Sequence, residues 1–109
     1  MFNDAEKNLL IKKRYAELEC IGIDPVLYFN VVKYLNRCLS FSVKDGIEQI
    51  YQKSKHMYIE DIGTLIMDIF GVDDEYTSLI IVEWKRDRLI YHNMMEKQTK
   101  YYDYLTLSV

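Results

Sequence analysis

The chain has 109 residues, with 14 Lys and Arg against 17 Asp and Glu, a formal net charge of −3 and a pI near 5.3. Half of the residues are hydrophobic and 28% are charged, a balance that excludes disorder, while the acidic excess removes the broad basic surface carried by most nucleic-acid binders. Four glycines and one proline are fewer than turn-rich all-β folds use, so the sequence predicts one all-α domain over residues 1–109, about five helices with a long C-terminal helix.

Asn3 followed by Glu6 has capping-box spacing. Leu10, Ile11, Arg14, Tyr15 and Leu18 then keep helical periodicity to about Cys20, and the run Lys12-Lys13-Arg14 reads as a solvated face. Ile21-Gly22-Ile23-Asp24-Pro25 is the clearest punctuation. Gly22 can end the first helix, Asp24 can cap the next, and Pro25 suits its first turn. From residue 25 to about 39 the apolar positions Leu27, Phe29, Val31, Val32, Tyr34, Leu35, Cys38 and Leu39 nearly encircle the axis, the pattern of a central helix packed on several sides.

Ser42 with Asp45 three residues later reads as another N-cap, and Val43, Ile47, Ile50 and Tyr51 mark one face of a third helix ending near Ser54. Lys53, Lys55 and His56 then fall at or beyond its C-terminus, where positive charge complements the helix dipole. A fourth helix is expected over residues 58–70, with Ile59, Ile62, Leu65, Ile66, Ile69 and Phe70 buried and Gly71 as its stop.

Residues 72–109 contain neither glycine nor proline. After the cap Asp73-Asp74-Glu75, the residues Tyr76, Leu79, Ile80, Trp84, Tyr91, Met94, Met95, Tyr101, Tyr102 and Leu105 share one broad helical face, with Glu83, Asp87 and Gln98 intruding on it. A helix of about 30 residues would be about 45 Å long and would project, bend or find a partner at the end that carries Tyr101, Tyr102 and Tyr104. The competing reading is a winged-helix-like α+β fold with a hairpin at 79–92, because Leu79 to Trp84 and Leu89 to His92 are rich in β-branched and aromatic residues. Against it, the junction Lys85-Arg86-Asp87-Arg88 has no glycine or asparagine to supply positive φ.

No chemical constellation emerges, and the protein is expected to be neither an enzyme nor a holder of cofactor or metal. His56 and His92 stand beside no nucleophile, and the four glycines form no phosphate loop. Asp61 and Asp68, two turns apart, are ordinary surface acids, and Asp73-Asp74-Glu75 lacks the alternating ligands and glycine of an EF-hand loop. Cys20 and Cys38 are expected to be small buried side chains in a reducing compartment. The opening Met-Phe-Asn-Asp-Ala-Glu lacks the apolar core of a secretory signal, and no apolar run approaches a membrane span, so a cytoplasmic protein is expected.

One asymmetry bears on function. From Met57 to Trp84 there are seven carboxylates and no Lys or Arg, leaving ten acids against fourteen bases elsewhere. Glu60, Asp61, Asp68, Asp73, Asp74 and Glu75 then form a ridge that can meet a basic patch, with Tyr101, Tyr102 and Tyr104 as an apolar anchor. The expected function is a small protein-binding module, an adaptor or inhibitor, whose partner is a protein with a basic surface or a second copy of the chain. The other class is a winged-helix DNA-binding regulator, with Lys44, Lys53 and Lys55 on the third helix and Lys85, Arg86 and Arg88 in the wing on phosphates. Composition and size resemble those of small accessory proteins of phages and mobile elements, an association with no physical warrant.

Overall fold

The computed structural model describes residues 4–93. In order they form α1 (Asp4–Cys20), α2 (Pro25–Cys38), β1 (Ser40–Lys44), β2 (Ile47–Gln52), β3 (Lys55–His56), α3 (Ile59–Phe70) and α4 (Asp74–Asn93). The class is therefore α+β rather than all-α: four helices and a small antiparallel sheet of order β1-β2-β3 among the described residues.

The α1–α2 junction follows the local chemistry. Gly22 adopts φ 84°, which a side chain would resist, and lets the Ile23 N–H return to the Leu18 carbonyl at 2.9 Å. Asp24 then accepts from the Val26 N–H at 3.0 Å, and Pro25 opens the helix. The same turn is tied to α4, because the Asp24 N–H donates to the Tyr76 hydroxyl at 2.7 Å.

Tyr28, Phe29, Val31, Val32 and Leu35 of α2 are all buried, and the helix has neighbours on three sides. Tyr15 of α1 stacks on Phe29, Phe70 of α3 meets Tyr34 edge-on, and Asp87 of α4 accepts from the Tyr28 hydroxyl. The core continues through Leu18, Ile23, Leu39, Met57, Ile62, Ile66, Ile80 and Trp84. Gly63 sits where α3 crosses α4, and a methyl group there would lie 3.5 Å from Ile81 Cδ1. That is ordinary van der Waals contact, so the crossing has room for a methyl group at this position.

The expected third helix is absent, and a hairpin occupies its place. Asp45 and Gly46 have φ 52° and 76°, the two positive angles of a type I′ turn, and Lys44 pairs with Ile47 across it. Ser42 and Asp45 therefore cap nothing. Val43, Ile47, Ile50 and Tyr51 do not share a face either. Strand alternation puts Val43 and Ile50 on one side of the sheet and Ile47 and Tyr51 on the other. A second two-residue turn, with Lys53 at φ 57°, brings Lys55 opposite Gln52 and His56 opposite Tyr51. Lys53, Lys55 and His56 thus lie on a turn and a strand, with no helix dipole to complement.

The region weighed as a hairpin, residues 79–92, lies within α4. Its junction lacks positive-φ residues, and Ile80, Ile81 and Trp84 are buried on the inner side of the helix. Asn3, the proposed cap of α1, and residues 94–109, which carry the Tyr101, Tyr102 and Tyr104 anchor, lie outside the described residues. No helix among the described residues is long and apolar enough to cross a membrane.

Candidate functional site

The acidic window does not act as a single ridge. Asp61 Oδ2 accepts from the Tyr58 N–H at 3.0 Å at the start of α3, and Asp73 Oδ1 accepts from the Tyr76 N–H at 2.8 Å at the start of α4. Both carboxylates serve as helix caps, so part of their hydrogen-bonding capacity is turned to the backbone. Glu83 is buried against Arg14. That leaves Glu60, Asp68, Asp74 and Glu75 as exposed acids without a cap or core role. Glu60 and Asp68 stand about 12 Å apart along α3, and Asp74 and Glu75 open the next helix.

Two arginines assigned to the surface by sequence lie inside. Arg14 is 3% exposed and donates to Glu83 at 3.0 Å, Asp87 at 3.0 Å and Glu17 at 3.1 Å. Burial is the largest single influence and opposes the Arg14 charge, but Asp87, Tyr28 and Glu83 together outweigh it and the net pKa rises. Burial pushes the Asp87 carboxyl above its ordinary range, against the pull of Arg14 and Tyr28, and Glu83 adds like-charge repulsion. Burial likewise raises the Tyr28 phenol, with the Asp87 charge adding to it. This network of Arg14, Tyr28, Glu83 and Asp87 ties α1, α2 and α4 together, and it explains why two acids intrude on the apolar face of α4.

Arg88, placed by the winged reading on a DNA-contacting loop, is also buried. Its Nε and Nη2 donate to both Glu48 carboxylate oxygens at 2.8 and 2.7 Å, and its guanidinium lies 3.6 Å from the centre of the Phe41 ring, with Trp84 on the same group. A forked, stacked arginine of this kind is a structural clamp. It holds the inward face of the hairpin on α4. Lys85 and Arg86 remain exposed on α4, and Lys44 remains exposed at the first turn.

The outward face of the sheet carries a group that sequence reasoning did not single out. Tyr51 and His56 are cross-strand partners with ring centres 5.4 Å apart, and His56 meets Tyr58 edge-on at 4.7 Å. His56 Nε2 engages Gln49 Oε1 at 2.9 Å. The discoverable signal was Asp45-Gly46. Once a turn is placed there, alternation puts Gln49 and Tyr51 on one side, and the second turn brings His56 beside Tyr51.

Apolar side chains also stand in water. Leu79 is 40% exposed and Val82 62%, and with Glu75 and Arg86 they follow one another along the outer side of α4 at spacings of four, three and four residues. Ile69, at the end of α3, is exposed too. Cys20 is exposed rather than buried, and Cys38 is half-buried, its thiol pushed up by burial and therefore protonated at neutral pH. No group of three His, Cys, Asp or Glu among the described residues is arranged to hold a metal. Compared with protein-family models, curated proteins and solved structures, the chain matches none.

Proposed function

We propose that the protein is a small non-catalytic binding module, an adaptor or inhibitor, whose partner is a protein. The observation that carries this reading is the outer flank of α4. Leu79 and Val82 lie exposed in the middle of a helix, and the acids Asp74 and Glu75 precede them. An apolar centre with a charged rim is the composition of a protein-binding patch, and a regular helix face presents it rigidly. Exposed carboxylates on Asp68, Asp74 and Glu75 favour a partner whose facing surface is basic, by speeding encounter and fixing register. The partner is a second protein or another copy of this chain, and sedimentation of the purified protein separates the two.

The winged-helix reading loses ground on the particular residues it used. Arg88 is committed to Glu48 and Phe41, and the segment 79–92 is helical. The protein-binding reading is tested by capturing partners on tagged protein with nuclease present. Leu79→Ser combined with Val82→Ser is expected to reduce capture more than tenfold with the fold intact. Asp68→Asn with Asp74→Asn and Glu75→Gln is expected to weaken it by a smaller factor that vanishes at high salt. Capture unchanged in both variants refutes the assignment of this surface.

A further inference from the structure

We propose that the outward face of the three-stranded sheet binds single-stranded nucleic acid. This surface is separate from the α4 flank and rests on different observations. Register puts Tyr51 and His56 side by side on this face, and Tyr58, just beyond β3 at the start of α3, extends the group through its ring contact with His56. Tyr58 is 64% exposed, so its ring is open to solvent. Exposed aromatic rings on a sheet accept unstacked bases of any identity, because every base has a π-face.

Charge selects the occupant. Lys44 stands at the first turn and Lys53 at the second, both exposed, so one ammonium group stands at each end of the face, while Lys55, paired with Gln52, projects to the opposite side. The two groups lie about 20 Å apart along the strand direction, from six residues of extended chain. None of the outward strand residues between them is acidic. Asp45 lies in the turn itself, and Glu48 points to the opposite side, where it holds Arg88. Glu60 and Asp61 open α3 just after Tyr58 and bound the surface there. A backbone of phosphates with stackable bases satisfies both the rings and the lysines. An acidic peptide satisfies the lysines alone, and a duplex keeps its bases out of reach of the rings.

The test is fluorescence anisotropy of the full chain with a labelled mixed-sequence single strand of about 16 nucleotides, near the upper site size of small single-strand-binding folds. Neutralising two phosphates predicts a slope of about −1.4 for log affinity against log salt, and Lys53→Gln reduces it to about −0.7. Tyr58→Ala is expected to weaken binding roughly 5- to 150-fold, the range for losing one stacked base. That side chain is exposed, so circular dichroism should be unchanged. The Leu79→Ser, Val82→Ser variant should bind the strand normally, which separates this proposal from the α4 reading. No binding at low salt, affinity indifferent to Tyr58→Ala, or equal affinity for a duplex or for poly-glutamate overturns the proposal.

Discussion

Arg14→Met removes the buried cation that bridges Glu83 and Asp87. The side chains of Arg14, Glu83 and Asp87 are 4%, 10% and 12% exposed, so the two carboxylates gain little water in exchange. Breaking a buried ion pair from one side costs about 3–5 kcal/mol, against a total of about 5–15 kcal/mol for a domain of this size. Urea unfolding followed by circular dichroism should therefore show a large fall in midpoint at pH 7, with the slope unchanged. Adding Glu83→Gln and Asp87→Asn to the methionine variant should recover much of the loss, because the uncompensated charges are gone. Acid should also rescue the single variant. Burial already raises the Asp87 carboxyl, and without Arg14 the opposing pull weakens further. A folded-state pKa above the unfolded value means that native protein binds protons more readily, so stability is present at low pH and is lost as pH rises through the folded-state pKa. Arg14→Met should accordingly gain stability as pH falls from 7 toward the ordinary carboxylate range. A variant within about 1 kcal/mol of wild type, or one indifferent to pH, refutes this account of the network.

Trp84 is 1% exposed and packs near Phe41 and Arg88, so Trp84→Ala should cost about 3–5 kcal/mol, measured by the same unfolding; near-native stability would place its ring outside the core. Lys53 holds φ 57°, where a side chain is strained, and Lys53→Gly should raise stability by about 1 kcal/mol while leaving the hairpin register intact by amide shifts. Asp61→Ala and Asp73→Ala each remove a side-chain cap and should each cost about 1 kcal/mol in thermal unfolding, a loss that no surface acid without a backbone partner should reproduce. Asp87→Asn in the wild-type background should flatten the dependence of stability on pH just above 3.8, because the raised carboxyl that titrates there is gone.

What could be read from sequence was set by how local the cause is. Gly22, Asp24 and Pro25 act within a few residues, and the α1–α2 junction falls where they place it. The positive-φ rule that argued against a hairpin at Lys85 to Arg88 applies with equal force to Asp45-Gly46, where it points to a turn. It was outweighed there by a spurious helical match. Val43, Ile47, Ile50 and Tyr51 lie at spacings that suit a helix, but a window of about twelve residues also accommodates two short strands. The tie is broken by a distant residue. Arg88 offers Glu48 a forked partner and Phe41 a flat cation, contacts formed from 40 or more residues away that no local window contains.

The acidic window shows a different failure. Adjacent carboxylates look alike in a sequence, but their surroundings divide them into caps, a core partner and exposed charges. Asp61, Asp73 and Glu83 answer to groups within the protein, and only the remainder is free to act on a partner. The distinguishing clue was present in Glu83 and Asp87, which stand on the apolar side of an otherwise regular helix. Two carboxylates on a buried face require a buried cation, and the first helix supplied one at Arg14 within its own apolar periodicity. Lys12-Lys13-Arg14 looks like one solvated run because the three are consecutive, yet on a helix neighbours are about 100° apart and the third points inward. Pairing misplaced charges of opposite sign across predicted helices brings α1 and α4 together from the sequence alone. The same reasoning gives the Arg14→Met experiment its weight, because it tests a contact between chain segments 69 and 73 residues apart.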